Sequence, residues 1–224
     1  KYVVHSNHDE RYTYNGLQAC LKELENDSGL IFCSGQAIAV RKDNFIIHYS
    51  RSYENLNEYE NINSIQERLL HHSEQYAPIA HYSLWRKKYY ISVTEKTMQI
   101  HKTIPTKTIM EEVIFELAAD IAGNSKAISQ LYWIRNRVNS ITHNYNEKGD
   151  HVFKTIENKL QLLLADVDNV DSKNIIKNFR ANFLFVNISL FKRILNSLKR
   201  WLKKRTKFKK VIRDANILLI RNNI

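Results

Sequence analysis

Short alternating apolar runs dominate the first part of the chain, and three- and four-residue apolar spacings dominate the rest. "YVVH" at 2–5, "GLIFC", "AIAV" and "FIIHY" read as strands, with "RKDN" a turn-forming group between the last two. Behind Asn15, the positions Leu17, Cys20, Leu21 and Leu24 recur at helical spacing and share one face. "RSYENLNEYENIN" is polar and low in complexity, an exposed loop by composition. Ser64 and Glu67 then stand in capping-box register and open a helix through "SIQERLLHHSEQY". "APIAHYSLW", "KYYISVTEK" and "TMQIH" return to strand-like alternation. Isolated strands of this length need partners, so residues 1–105 are expected to form a small antiparallel sheet with two helices packed on it.

Past Pro105 the period changes. Thr108 and Glu111 repeat the capping-box spacing, and Ile109, Val113, Leu117 and Ile121 form a helical stripe that Gly123 and Asn124 stop. Ser125 is placed to cap a further helix from Lys126, which would carry "RNRVNSITHNYN" at 135–146. A helix over 152–165 turns Phe153, Ile156, Leu160 and Leu163 inward. A long last helix is marked by Ile176, Phe179, Phe183, Val186, Leu190, Ile194, Leu198, Trp201 and Phe208. "DVDNVD" at 166–171 joins two of these helices. It lacks the glycine of a calcium loop at its sixth position and has Lys177 where the bidentate glutamate would stand. The expected fold class is therefore α+β: a sheet-and-helix module at 1–105, then an all-helical array at 106–224 ending in a long basic helix.

With 224 residues, 43% hydrophobic and 25% charged, the composition is that of a globular protein with a real core. Cys20 and Cys33 lack a disulfide framework around them and read as two free thiols in a reducing compartment, which favours a cytoplasmic location. The longest apolar run, "FLFVNISLF" at 183–191, falls far short of the about 20 residues of a membrane span. Charge changes the picture most. The net charge is +11, and residues 192–213 hold 11 cations without one acidic residue: Lys192, Arg193, Lys199, Arg200, Lys203, Lys204, Arg205, Lys207, Lys209, Lys210 and Arg213. The remainder has equal numbers of basic and acidic residues, so the whole excess belongs to this segment. A basic stretch interleaved with Ile194, Leu195, Leu198, Trp201, Leu202 and Phe208 fits a helix with an apolar side against a core and a cationic side toward a polyanion. Nucleic acid, RNA in particular, is the favoured partner; an anionic membrane or an acidic protein is the alternative.

At about 100° per residue, a helix from Lys126 would gather Tyr132, Arg135, Asn136, Asn139 and His143 on one polar sector. An arginine and a histidine so grouped suit metal-independent RNA cleavage, in which the 2′-hydroxyl attacks its own phosphate. The histidine moves protons and the guanidinium steadies the charge on phosphorus. Arg137, His143 and Tyr145, with five residues between the first two, resemble the signature of the HEPN ribonucleases, helical-bundle proteins of prokaryotic toxins and antiviral systems. Val138 follows Arg137 where that family usually has a polar residue. Arg135 has Asn136 beside it, but seven residues separate it from His143, one beyond the family's range. The resemblance implies a homodimer that builds its site from two copies, with Arg135 or Arg137, His143 and Tyr145 as the catalytic residues.

"AIAVRKDNFIIHYSRSYENL" at 37–56 resembles the opening hairpin of PAS-type sensor domains, which implies a sensing or dimerising module and names no ligand. The histidines lack metal-ligand spacing, and adjacent His71 and His72 would point to different sides of a helix. With five glycines and no glycine-rich phosphate loop, no nucleotide cofactor is expected, nor any other. The functional expectation is a basic RNA-binding protein with HEPN-like endoribonuclease activity as an addition. The competing expectation is a non-catalytic sensor or adaptor.

Overall fold

A computed structural model describes residues 1–6, 10–43, 46–52, 62, 64–74, 78–104, 108–136 and 150–183. The elements are, in chain order, β1 (Tyr2–Val4), β2 (Glu10–Tyr12), α1 (Tyr14–Asn26), β3 (Leu30–Asp43), β4 (Ile46–Ser52), α2 (Ile65–Glu74), a 3₁₀ turn (Ala80–Tyr82), β5 (Leu84–Arg86), α3 (Lys87–Thr103), α4 (Thr108–Ala122), β6 (Asn124–Asn136), α5 (Asp150–Leu164) and α6 (Ser172–Phe183). The fold is mixed α+β. No helix among the described residues is long and apolar enough to cross a membrane.

β3 is the spine. "GLIFC" and "AIAV" join through Ser34, Gly35 and Gln36 into one strand, and every residue from Leu30 to Ala39 is buried. One edge of β3 pairs antiparallel with β5 at Phe32 and Cys33, then with β4 from Ala37 to Asp43. The other edge pairs parallel with β6. β1 adds to β5 and β2 to β6, giving the order β1-β5-β3-β6-β2 with β4 alongside β3. The sheet is thus mixed, not wholly antiparallel as expected. It takes β6 from beyond residue 105, so the second half is not all-helical.

Two elements reverse their expected type. Asn124–Asn136 is a strand where a helix from Lys126 was expected. The misleading signal has a physical source. The register jumps from Gly35↔Ile128 to Gln36↔Leu131, an irregularity that leaves Ser129 and Gln130 exposed and sets two buried apolar residues three apart. Burial on both faces also erases period-two alternation, since Ile128, Leu131, Tyr132 and Trp133 are all buried. Conversely, "KYYISVTEK" and "TMQIH" lie in the helix α3, whose buried Val93, Thr97 and Ile100 follow four- and three-residue steps. Its β-branched residues are accommodated locally: the Thr94, Thr97 and Thr103 hydroxyls donate to the carbonyls of Tyr90, Val93 and Gln99.

Other expectations hold. Glu67 N–H donates to Ser64 Oγ at 3.0 Å, which opens α2 as the capping spacing predicts. In α1, Cys20 and Leu24 are buried; in α4, Val113 and Leu117; in α5, Ile156, Leu160 and Leu163. Cys20 and Cys33 are both buried and unbridged. The hairpin expected around "RKDN" forms, with Asp43 opposite Ile46. The helical array is described only as far as Phe183. The exposed loop expected after β4 and the long terminal helix beyond that residue lie outside the described residues.

Helices cover both faces of β3. One core gathers Ile31, Phe32 and Trp85 with residues of α2 to α6, including Ile114, Leu117, Leu160 and Phe179. The other seats Cys20 and Leu24 of α1 on Cys33, Ala37, Tyr132 and Trp133. Arg86 ties the end of α1 to the sheet, donating to the carbonyls of Leu24, Leu30 and Asp27. The Thr13 hydroxyl caps the helix start, accepting from Gly16 N–H at 3.1 Å.

The tightest seam lies where α1 crosses β6. A Cβ added at Gly16 would stand 2.5 Å from Leu131 O and 2.6 Å from Tyr132 Cα, both backbone atoms. Gly16→Ala is expected to destabilise the protein by about 1–3 kcal/mol in urea unfolding, because neither backbone can yield without disturbing the sheet. At Gly29 an added Cβ meets only the Asp27 carboxylate at 3.1 Å, so Gly29→Ala serves as the tolerated control. Equal midpoints for the two variants would contradict the close-approach argument.

Candidate functional site

Of the residues expected to carry catalysis, only Arg135 has a described environment. It stands near the end of β6, directly opposite Glu10 of β2 and beside Ala39 of β3 in register. Cross-strand partners in an antiparallel pair share a face, so Arg135 lies on the same face of the sheet as the buried Glu10. The helical sector expected to unite Tyr132, Arg135 and Asn136 does not exist, because all three lie on a strand. Tyr132 is instead buried in the core, ring against Tyr12 at 5.1 Å. Arg137, Asn139, His143 and Tyr145 lie outside the described residues, as does the basic segment 192–213.

The structure brings together a different set of ionisable groups. α2 and α4 face each other through Arg68 and His72 on one side and Glu116 and Asp120 on the other, all four buried. His72 Nδ1 is 2.7 Å from Asp120 Oδ2, and its Nε2 is 4.0 Å from Glu116 Oε2. A carboxylate only accepts, so the Nδ1 proton points to Asp120 and Nε2 is turned toward Glu116. Arg68 Nε donates to Asp120 O at 2.8 Å, and its Nη1 donates to Asn124 Oδ1 at 2.7 Å and Ile62 O at 3.1 Å. Arg68 thus ties α2 to the junction between α4 and β6.

Glu116 reaches the third partner. Its two oxygens accept the backbone N–H groups of Ala80 at 2.7 Å and His81 at 2.6 Å, which anchors the 3₁₀ turn. Burial pushes its carboxyl up to about 8, against the opposing pull of His72 and the two amides. The turn continues the chain of contacts: Trp85 Nε1 donates to Ala80 O at 2.7 Å, and Tyr82 stacks on Trp133 with ring centroids 3.9 Å apart. His81 sits between His5, Tyr82 and Phe115, with centroids at 4.5, 4.8 and 5.7 Å.

Chemically, this arrangement can hold and exchange a proton and bind three elements together. Its four side chains are all buried among the described residues. The pair His71 and His72 divides as expected, with His72 in the cluster and His71 half-buried elsewhere. The residues missed by sequence reasoning are Arg68, Glu116 and Asp120. Their signal was available. Arg68 and His72 are four apart on one helix, and Glu116 and Asp120 are four apart within an otherwise apolar stretch of another. Charges at core positions of a helix need partners, which His72 and Asp120 find in each other and Arg68 and Glu116 find in backbone groups and Asn124.

Burial, with His5 alongside, lowers the His81 imidazole to about 4. The unfolded chain takes up this proton near 6.5, whereas the folded chain refuses it until about 4. Stability from this group is therefore intact above 6.5 and declines as pH falls toward 4. His81→Phe keeps a ring in place and removes the titration. Urea midpoints at neutral and mildly acid pH are expected to differ less in this variant than in the wild type. An equal acid sensitivity would show that His81 does not contribute to it.

No protein-family model matches the chain, and no curated protein matches it either.

Proposed function

We propose that the protein binds a polyanion, RNA in preference, through residues 192–213. One observation carries this reading: 11 cations and no acidic residue in that segment, against a remainder with no net formal charge. Solubility alone does not require such segregation, whereas neutralising a phosphate backbone does. Contacts of this type position a nucleic acid without reading its sequence.

Metal-independent cleavage is a second reading, favoured by the spacing of Arg137, His143 and Tyr145. In it His143 exchanges protons with the attacking or leaving oxygen, Arg137 steadies the phosphate, and Tyr145 assists. Arg135 is the alternative phosphate contact, on β6 in register with Glu10 of β2. The competing non-catalytic reading is a sensor or adaptor whose basic segment meets an anionic membrane or an acidic protein.

RNA binding followed across a salt series tests the main proposal. Replacing Lys203, Lys204 and Arg205 with glutamine removes up to three phosphate contacts. It is expected to weaken binding and to flatten the slope of log affinity against log salt by about 2, at roughly 0.7 per contact on a single strand. Affinity that survives both high salt and the triple substitution would reject the electrostatic interface. Flotation with anionic and neutral vesicles separates the membrane alternative.

For cleavage, the expectation is activity in chelator that His143→Ala reduces by about 10²–10⁴-fold with the fold retained by circular dichroism. Cleavage at the wild-type rate in that variant would end the catalytic reading and leave the binding one standing.

A further inference from the structure

Alone among the described α-helices, α6 contains no acidic residue, and its three cations fall on one line. We propose that the solvent face of α6, built on Lys173, Lys177 and Arg180, is a phosphate-tracking contact for single-stranded RNA, additional to residues 192–213. It rests on the reading of the protein as an RNA binder and gives that reading a surface on the described fold.

The geometry follows from helical spacing. At about 100° per residue, Lys177 and Arg180 lie about 40° and 20° to opposite sides of Lys173, so the three share a narrow stripe. All three are exposed, together with Asn174 and Ala181. Ile175 and Phe179 point to the far side of the helix and are buried in the core shared with α2 to α5. At about 1.5 Å of rise per residue the stripe runs about 10 Å along the axis, the length of about three nucleotide steps at 3.4 Å per strand. Asn174 adds an amide beside the cations, suited to a phosphate or sugar oxygen. No aromatic residue stands on the exposed side, so the contact would hold a backbone and stack no base.

Helix energetics do not account for this charge. Lys173 lies in the first turn of α6, where the helix dipole disfavours a cation. The acids nearest in sequence stand before the helix, at Asp166, Asp168 and Asp171. Asp166 meets Lys96 at 3.5 Å, and the Asp171 carboxylate accepts from Asn174 N–H at 3.1 Å. Among the described residues neither Lys173 nor Lys177 has an ion-pair partner. A lipid surface is the weaker match, because an interfacial helix inserts an apolar side and that of α6 is already committed to the protein core. A phosphate backbone asks only for the charge. Lys192 follows nine residues after Phe183, at most about 30 Å of chain, so one RNA strand can engage both surfaces and gain from their linkage.

Binding of the full chain to a fluorescent oligouridylate across a salt series tests the proposal. Lys173→Gln, Lys177→Gln and Arg180→Gln together are expected to weaken binding and to flatten the slope of log affinity against log salt by about 2, at roughly 0.7 per contact. Added to the glutamine substitutions at Lys203, Lys204 and Arg205, they should flatten it further. Lys173→Arg with Lys177→Arg keeps the charge and should keep wild-type affinity. Circular dichroism checks that each variant is folded. Photo-crosslinking of the wild type to the same strand carrying thiouridine is a second reading that needs no variant, and it should mark a peptide within 172–183. An unchanged slope in the α6 glutamine variant, with the 203–205 variant weakened, would overturn this contact and leave residues 192–213 standing. No RNA binding by the wild type would overturn both. Loss of affinity in the arginine variant, absence of the cross-link, or loss of anionic-vesicle binding with RNA affinity intact would each overturn the α6 contact.

Discussion

The parallel pairing of β3 with β6 is the constraint on which the rest of the structure depends. It makes β3 an interior strand along most of its length, buried on both faces and paired on both edges. Once that strand is interior, helices must cover each face. α1 covers one, and the array from α2 to α6 covers the other. Close approach follows from the same pairing. Tyr132 passes so near Gly35 that an added Cβ there would lie 2.6 Å from its own Cβ, and α1 meets β6 at Gly16 in the same way. Two glycines thus allow three backbones to meet where side chains would hold them apart.

Legibility in the sequence tracked how far each element's signal was local. α1, α2 and α5 were readable because each has one buried face and a polar remainder. α4, buried at every position from Val113 to Asp120, was readable from its capping spacing and the Gly123 stop. The β3–β4 hairpin was readable from a turn group between apolar runs. β6 was not. A double-sided core strand with a register irregularity produces helix-like spacing, and its pairing partner lies far away in the chain. α3 failed in the opposite sense, because tyrosine, isoleucine, valine and threonine favour strands until tertiary packing decides otherwise. The error at β6 carried into the site. A helical wheel drawn through Arg135 grouped side chains that a strand separates onto alternate faces.

The charged residues divide into two populations with opposite physical roles. Arg68, His72, Glu116 and Asp120 are buried, and through the His72–Asp120 pair, the Arg68 bonds to Asp120 O and Asn124 and the Glu116 bonds to the Ala80 and His81 amides they join α2, α4 and the 80–82 turn in a way that apolar packing alone would not. Such groups are costly to desolvate and contribute uniqueness of arrangement more than net stability. The cations of 192–213 have no acidic residue among them, and they account for the entire net charge. Interior charge fixes how the helices meet, and the segregated charge of 192–213 is the basis of the proposed polyanion binding.

The distance in sequence between the two central strands bears on how the chain comes to be folded. β3 ends at Asp43 and β6 begins at Asn124, so during synthesis the most apolar strand emerges well before its parallel neighbour. Until that neighbour appears, one edge of β3 presents unpaired amides and carbonyls beside apolar side chains, the combination most prone to pairing with the wrong chain. Closing so long a loop also places this domain among the slower folders of its size. Nascent chains shorter than about residue 136 would then depend on chaperones in a way that the finished protein does not.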